Sequence, residues 1–90
     1  MYKIKKYSYD QAKKLNVIIK PSERKYKKID VFNKDGSYIC SIGDSRFYDF
    51  PSYLEIDKEL ALERRRLYHQ RHRKENIPGT RGFYSLKILW

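Results

Sequence analysis

Between Lys28 and Gly43 the chain carries its strictest local instruction. Two β-prone runs, Ile29-Asp30-Val31-Phe32 and Tyr38-Ile39-Cys40-Ser41-Ile42, flank Asn33-Lys34-Asp35-Gly36. A linker of this kind closes a hairpin, because Gly36 adopts the positive φ of a type I turn with a G1 bulge. Alternation puts Ile29 and Val31 on one face and Asp30 on the other. A chain of 90 residues makes one domain with a small core. The fold class expected is therefore α+β, with a β-hairpin or small antiparallel sheet packed on one long basic helix.

Two segments read as helical. Ser8-Tyr9-Asp10-Gln11 has the Ser-x-x-Gln form of a capping box and predicts a short helix to Leu15, with Ala12 and Leu15 inward. Asn16 is its left-handed stop, and Val17-Ile18-Ile19 reads as a strand ended by Pro21. The same stretch has the form of the first half of a helix-turn-helix, but Pro21 interrupts the second helix. Pro51 and Ser52 open the other segment, with Ser52-x-x-Glu55 as a second capping box. That helix runs to about Lys74, with a break near Asp57, and carries Leu60, Ala61, Leu67 and Tyr68 as its apolar stripe. Asn76-Ile77-Pro78-Gly79 ends it. A helical tail follows, placing Phe83, Leu86 and Trp90 on one face, and its aromatic end is expected to dock. Residues 1–28 form a basic arm with a short helix and strand. Residues 29–90 hold the hairpin, long helix and docked tail, all within one domain.

A mean hydropathy of −0.89 is poor for a packed domain. Nine tyrosines and four phenylalanines compensate, since each buries a large ring while keeping an edge wet. Cys40 is the only cysteine, so no internal disulfide forms, which fits a reducing compartment. No apolar h-region follows Met1, and no run nears the roughly 20 residues that span a bilayer. The expectation is a soluble, non-secreted protein with no membrane partner.

Charge is segregated. Residues 1–28 carry ten Lys or Arg against two acids, residues 29–63 three against eight, and residues 64–90 eight against one. A surface built only for solubility mixes its signs, so two basic ends around an acidic middle point to a polyanion or a partner of opposite pattern. Six of the cations fall in Arg64-Arg65-Arg66-Leu67-Tyr68-His69-Gln70-Arg71-His72-Arg73-Lys74. At helical spacing Arg66, His69 and Arg73 share a face, while Arg64 and Arg71 flank the apolar stripe and need a partner such as Asp30, Asp49, the terminal carboxylate or the ring of Tyr68 or Trp90. Rows of long cationic donors suit phosphate oxygens. The candidate nucleic-acid-binding set is Arg65, Arg66, His69, Arg71, Arg73 and Lys74, with Lys13, Lys14, Lys25 and Lys27 from the arm. Tyr2, Tyr7, Tyr9 and Tyr26 interleave those lysines and are of a type that stacks bases. A solvated helix balancing the acidic block is the plain alternative.

Nothing points to catalysis. His69 and His72 could chelate a metal at i and i+3 spacing, but there is no further His, the single Cys is remote and the setting is strongly cationic. Glu23-Arg24-Lys25 has the acid-x-Lys form of some nucleases, without a convincing acid before it. No nucleophile triad or phosphate-cradling glycine loop occurs. A non-enzyme is expected, with no cofactor, no metal and no small-molecule substrate. Homo-oligomerisation stays open.

Taken together, Lys27-Lys28-Ile29-Asp30-Val31-Phe32, Lys34-Asp35-Gly36, Ser41-Ile42-Gly43, Tyr48-Asp49-Phe50-Pro51-Ser52-Tyr53, Arg65-Arg66-x-x-Tyr68-x-x-Arg71-His72-x-Lys74 and the closing Leu89-Trp90 carry a resemblance. The chain resembles, from about Ser8 to Trp90, a family of small basic proteins of uncharacterised function encoded by nucleocytoplasmic large DNA viruses. The resemblance implies a viral source and a virion, host cytoplasmic or nuclear setting; it implies no activity. The expectation is a viral protein that binds nucleic acid backbone without sequence specificity, for example in genome packaging. The competing expectation is a minor capsid or cement protein whose bases meet acidic viral protein surfaces.

Overall fold

The computed structural model describes every residue from Met1 to Trp90. The chain runs α1 (Lys6–Lys14), β1 (Ile18–Pro21), β2 (Lys27–Phe32), β3 (Tyr38–Asp44), α2 (Phe50–Leu54), α3 (Lys58–His72) and α4 (Arg81–Ile88), with a 3-10 turn at Arg73–Glu75. The hairpin forms as its turn residues require. Gly36 sits at φ 93° and donates its N–H to the Asn33 carbonyl at 2.9 Å. A register shift between Val31 and Phe32 marks the irregularity that the tight connection imposes on the ladder. Asn16 at φ 59° turns the chain out of α1 into β1, which pairs antiparallel with β2, Ile19 opposite Val31. The sheet order is β1-β2-β3, so Pro21 lies on an edge strand, where a missing donor is tolerated.

Ile29, Val31 and Ile42 are fully buried on the sheet, and Ile88 and Leu89 of the tail meet them in one cluster with Ala12, Val17 and Ile19. The basic arm is thus part of the core, through Ile4, Ala12, Val17 and Ile19. The expected packing of the sheet on the long helix is corrected: α1 and α4, which carry the buried Ala12, Leu86 and Ile88, make the layer directly against the sheet, while α3 joins through α2 and α4. The α+β class, antiparallel sheet, long helix, short first helix and helical tail agree with the sequence reading. Within the tail, Leu86, Ile88 and Leu89 carry the burial; Phe83 and Trp90 are only half-buried.

Both expected capping boxes are corrected. α1 begins at Lys6 with Lys5 at its cap and no side-chain cap bond, so Ser8 and Gln11 lie inside the helix. The Ser8 hydroxyl donates to the Ile88 carbonyl at 2.8 Å, and the Gln11 amide to the Lys87 carbonyl at 2.9 Å. These are orphan carbonyls at the end of α4. A motif that would cap its own helix instead clasps another one. Ser8→Ala strands a buried acceptor and is expected to cost about 1–3 kcal/mol in urea unfolding.

In the second box, Asp49 replaces Ser52 as the cap of α2, its carboxylate accepting from the Ser52 N–H at 2.9 Å. Pro51 occupies the first turn, where its missing donor is harmless. Glu55 falls beyond α2 and pairs with Lys5 at 2.6 Å. The expected break at Asp57 is present. Asp57 caps α3 by accepting from the Glu59 N–H at 2.9 Å, and bases gather in the last turn as the helix dipole favours. No helix is long and apolar enough to cross a membrane.

Candidate nucleic-acid interface

The expected cations separate into those already engaged and those left free. Arg66 is engaged: its guanidinium grips Glu63 one turn back at 2.7 Å and holds that carboxyl below its usual range. Arg65 is half-buried, with its guanidinium 5.0 Å over the Phe50 ring. His69 turns towards α4, and its Nε2 is buried without a hydrogen-bond partner. Of the face expected to carry Arg66, His69 and Arg73, the last two come together, bordering a small hollow with Asn76, Leu86 and Lys87, while Arg66 is taken up by Glu63.

Arg71, Arg73 and Lys74 are exposed at the end of α3 and the 3-10 turn, with no carboxylate in ion-pairing range. Lys13 and Lys14 are exposed on the last turn of α1, and Lys25 is exposed in the β1–β2 loop over the Tyr26 ring. Lys27 is half-buried on β2 opposite Asp44 and lines a separate hollow with Arg24 and Tyr26. The interleaved tyrosines also divide. Tyr9 and Tyr26 are exposed, whereas Tyr7 packs edge-on to Phe50 at 5.2 Å and Tyr2 bonds Asp49 at 2.7 Å.

Arg64 and Arg71 reach the mouth of a cleft of about 370 Å³ between α3, the tail and the β3–α2 loop. None of the partners expected for them is found; the Arg64 guanidinium stands instead 5.9 Å over Tyr53. Trp90 stacks on Tyr68 with centroids 4.3 Å apart and planes 7° from parallel, and Tyr68 stacks in turn on His72. The Tyr68 hydroxyl shares a hydrogen bond with Ser85, and burial pushes its phenol up. Phe47 and Tyr48 stand at the rim, 67% and 59% exposed.

Beneath the cleft lies a buried ion pair that charge counting does not reveal. Lys28 donates to Asp49 at 2.8 Å, with both side chains almost wholly buried. Asp49 also accepts from Tyr2 and the Ser52 amide, so one carboxylate joins the N-terminal segment, β2 and α2. Burial pushes the Asp49 carboxyl up, but the bonds from Lys28 and Tyr2 and the Lys28 charge outweigh it, and the net shift is downward. Lys28 is a structural residue, not an arm cation. The exposed Phe47-Tyr48 pair in an aromatic-rich loop was the available sequence signal for the cleft. Nothing local in the sequence links that pair to Arg64, Arg71 or Trp90. Comparison with known protein families, curated proteins and solved structures finds no match to this chain.

Proposed function

We propose that this protein binds nucleic acid through the phosphate backbone, without sequence specificity and without catalysis. The observation that carries the reading is the set of unpaired, exposed cations Arg71, Arg73 and Lys74 at one end of α3, next to a cleft that also holds unpaired Arg64. Solvated helices of mixed charge pair their bases along the helix, as Arg66 does with Glu63. These four have no such partner, and phosphate oxygens suit them. The resemblance to small basic proteins of large DNA viruses gives the reading its setting, packaging or condensation of a genome in a virion or infected cell.

Fluorescence anisotropy of a labelled random duplex tests it. If about four phosphates are neutralised, affinity falls roughly 150-fold between 50 and 200 mM salt. Arg71→Ala, Arg73→Ala and Lys74→Ala together should lower the salt slope by about three. Unchanged anisotropy at 50 mM salt sinks the proposal.

A minor capsid or cement role is the second reading. It is favoured by Leu54, Ile56 and Leu62, which stay exposed at the α2–α3 corner beside Glu55, Asp57 and Glu59. Release with capsid shells rather than with the genome, when virions are disrupted, would support it.

A further inference from the structure

We infer that the aromatic cleft is a seat for one unpaired base, so that the protein prefers single-stranded to double-stranded nucleic acid; this rests on the backbone-binding reading. Charge bookkeeping around the cleft comes first. Lys28 is neutralised by Asp49 and Asp44 by the two-pronged grip of Arg46, while the His72 imidazole is tied to Glu75. The Arg46 grip draws the Asp44 carboxyl down to about 2, so it stays ionised and occupied. Arg64 and Arg71 are the charges left over. The cleft is therefore a cationic mouth on an aromatic interior, the pairing of features that a nucleotide presents in reverse.

Shape agrees. A volume of about 370 Å³ lies in the range of small-ligand sites. Tyr68 covers one face of the Trp90 indole, and Tyr53, tilted by 47° at 6.3 Å, does not cover the other with a parallel ring. A planar base fits that remaining face. Phe47 and Tyr48 are exposed far beyond what a packed loop requires, and they stand where a base would be gripped from the rim.

The same two rings also border a second hollow of about 240 Å³ that contains Lys3 and Lys5. Lys5 is committed to Glu55, while Lys3 is exposed and unpaired. A strand with one base in the cleft thus runs over Phe47 and Tyr48, with Arg64 and Arg71 on one side and Lys3 on the other. Duplex bases are held in the stack and cannot enter, whereas stacking on protein rings tolerates any base.

Trp90 is the only tryptophan in the chain, so its fluorescence reports the cleft alone. The test titrates the full chain with a ten-residue oligothymidylate and, separately, with a 20-base-pair random duplex. The single strand is expected to quench Trp90 and the duplex to leave it unchanged. Phe47→Ala with Tyr48→Ala should weaken the single strand about 10- to 100-fold, as loss of stacking does, and move the duplex less than twofold. Arg71→Gln, at an exposed position, should weaken the single strand several-fold with the quench at saturation retained. Equal binding of both nucleic acids with a silent Trp90 overturns the base seat and leaves backbone binding standing. Equal loss of both in the Phe47/Tyr48 variant also overturns it. Binding of neither nucleic acid overturns both.

Discussion

Asp49→Ala is expected to cost about 3–5 kcal/mol of folding stability, since it leaves a buried ammonium uncompensated. Lys28 is 4% exposed at its side chain, and no other carboxylate is in range. A small domain has about 5–15 kcal/mol to lose, so the variant sits near the edge of folding. Replacing both partners, Lys28→Met with Asp49→Leu, should recover the part of the loss that comes from the unpaired charge, while the Tyr2 bond and the α2 cap stay lost. Urea titrations of the two variants separate the pair's geometry from its charge.

The same carboxylate sets the acid limit. Asp49 titrates below the ordinary carboxylate range in the folded protein, and near 3.9 when unfolded. Its stabilisation is complete above the unfolded value and is lost as pH falls through the folded one. The midpoint of thermal unfolding should therefore hold from about pH 8 to 5 and drop steeply below about 4. Asp49→Asn should remove much of that acid dependence. Tyr2 does not compete, because burial and its bond to Asp49 raise its phenol well above the usual range and keep it a donor.

Gly43→Ala is the other large effect, at about 2–4 kcal/mol. Gly43 has φ 78°, and a Cβ there would lie 2.6 Å from Leu89 Cδ1 and 2.9 Å from Lys28 Cδ. Strain and collision add, and the methyl group also presses on the wall of the cleft. Gly36→Ala is the control. Its φ of 93° carries similar strain, but nothing lies within 4 Å of the added atom. The expected loss there is only about 1–2 kcal/mol, and the difference measures how closely the tail packs on β3.

What could be read from the sequence was what is local. Asn33-Lys34-Asp35-Gly36 dictates a hairpin from within four residues, and Asp57 interrupts the helix by capping the next one. The Ser8 and Gln11 clasp was illegible for the opposite reason: a hydroxyl and an amide three residues apart look alike whether they bond their own helix or one some 80 residues away. Charge blocks suffered the same limit. Lys28 and Lys27 are neighbours of identical chemistry, yet one is buried against Asp49 and the other lies at the surface of a hollow. Arg66 and Arg73 look alike within the basic run, yet Glu63 takes up the first and leaves the second free. The cleft gathers rings and guanidinia from four segments, and only the tertiary arrangement of α3 and the tail brings them together.

The α1–α4 clasp also has a consequence for the order in which the protein is made. The hairpin and β1 can pair as soon as they emerge during synthesis, with α1 against β1, but the rest of the sheet's apolar face stays uncovered until Ile88 and Leu89 arrive. At about 5–20 residues per second, the stretch from Asp44 to Leu89 takes seconds, during which Ile29, Val31 and Ile42 face water. The nascent chain is then a half-finished sheet in search of a cover, and whatever shields it in that interval helps decide how much protein reaches the folded state.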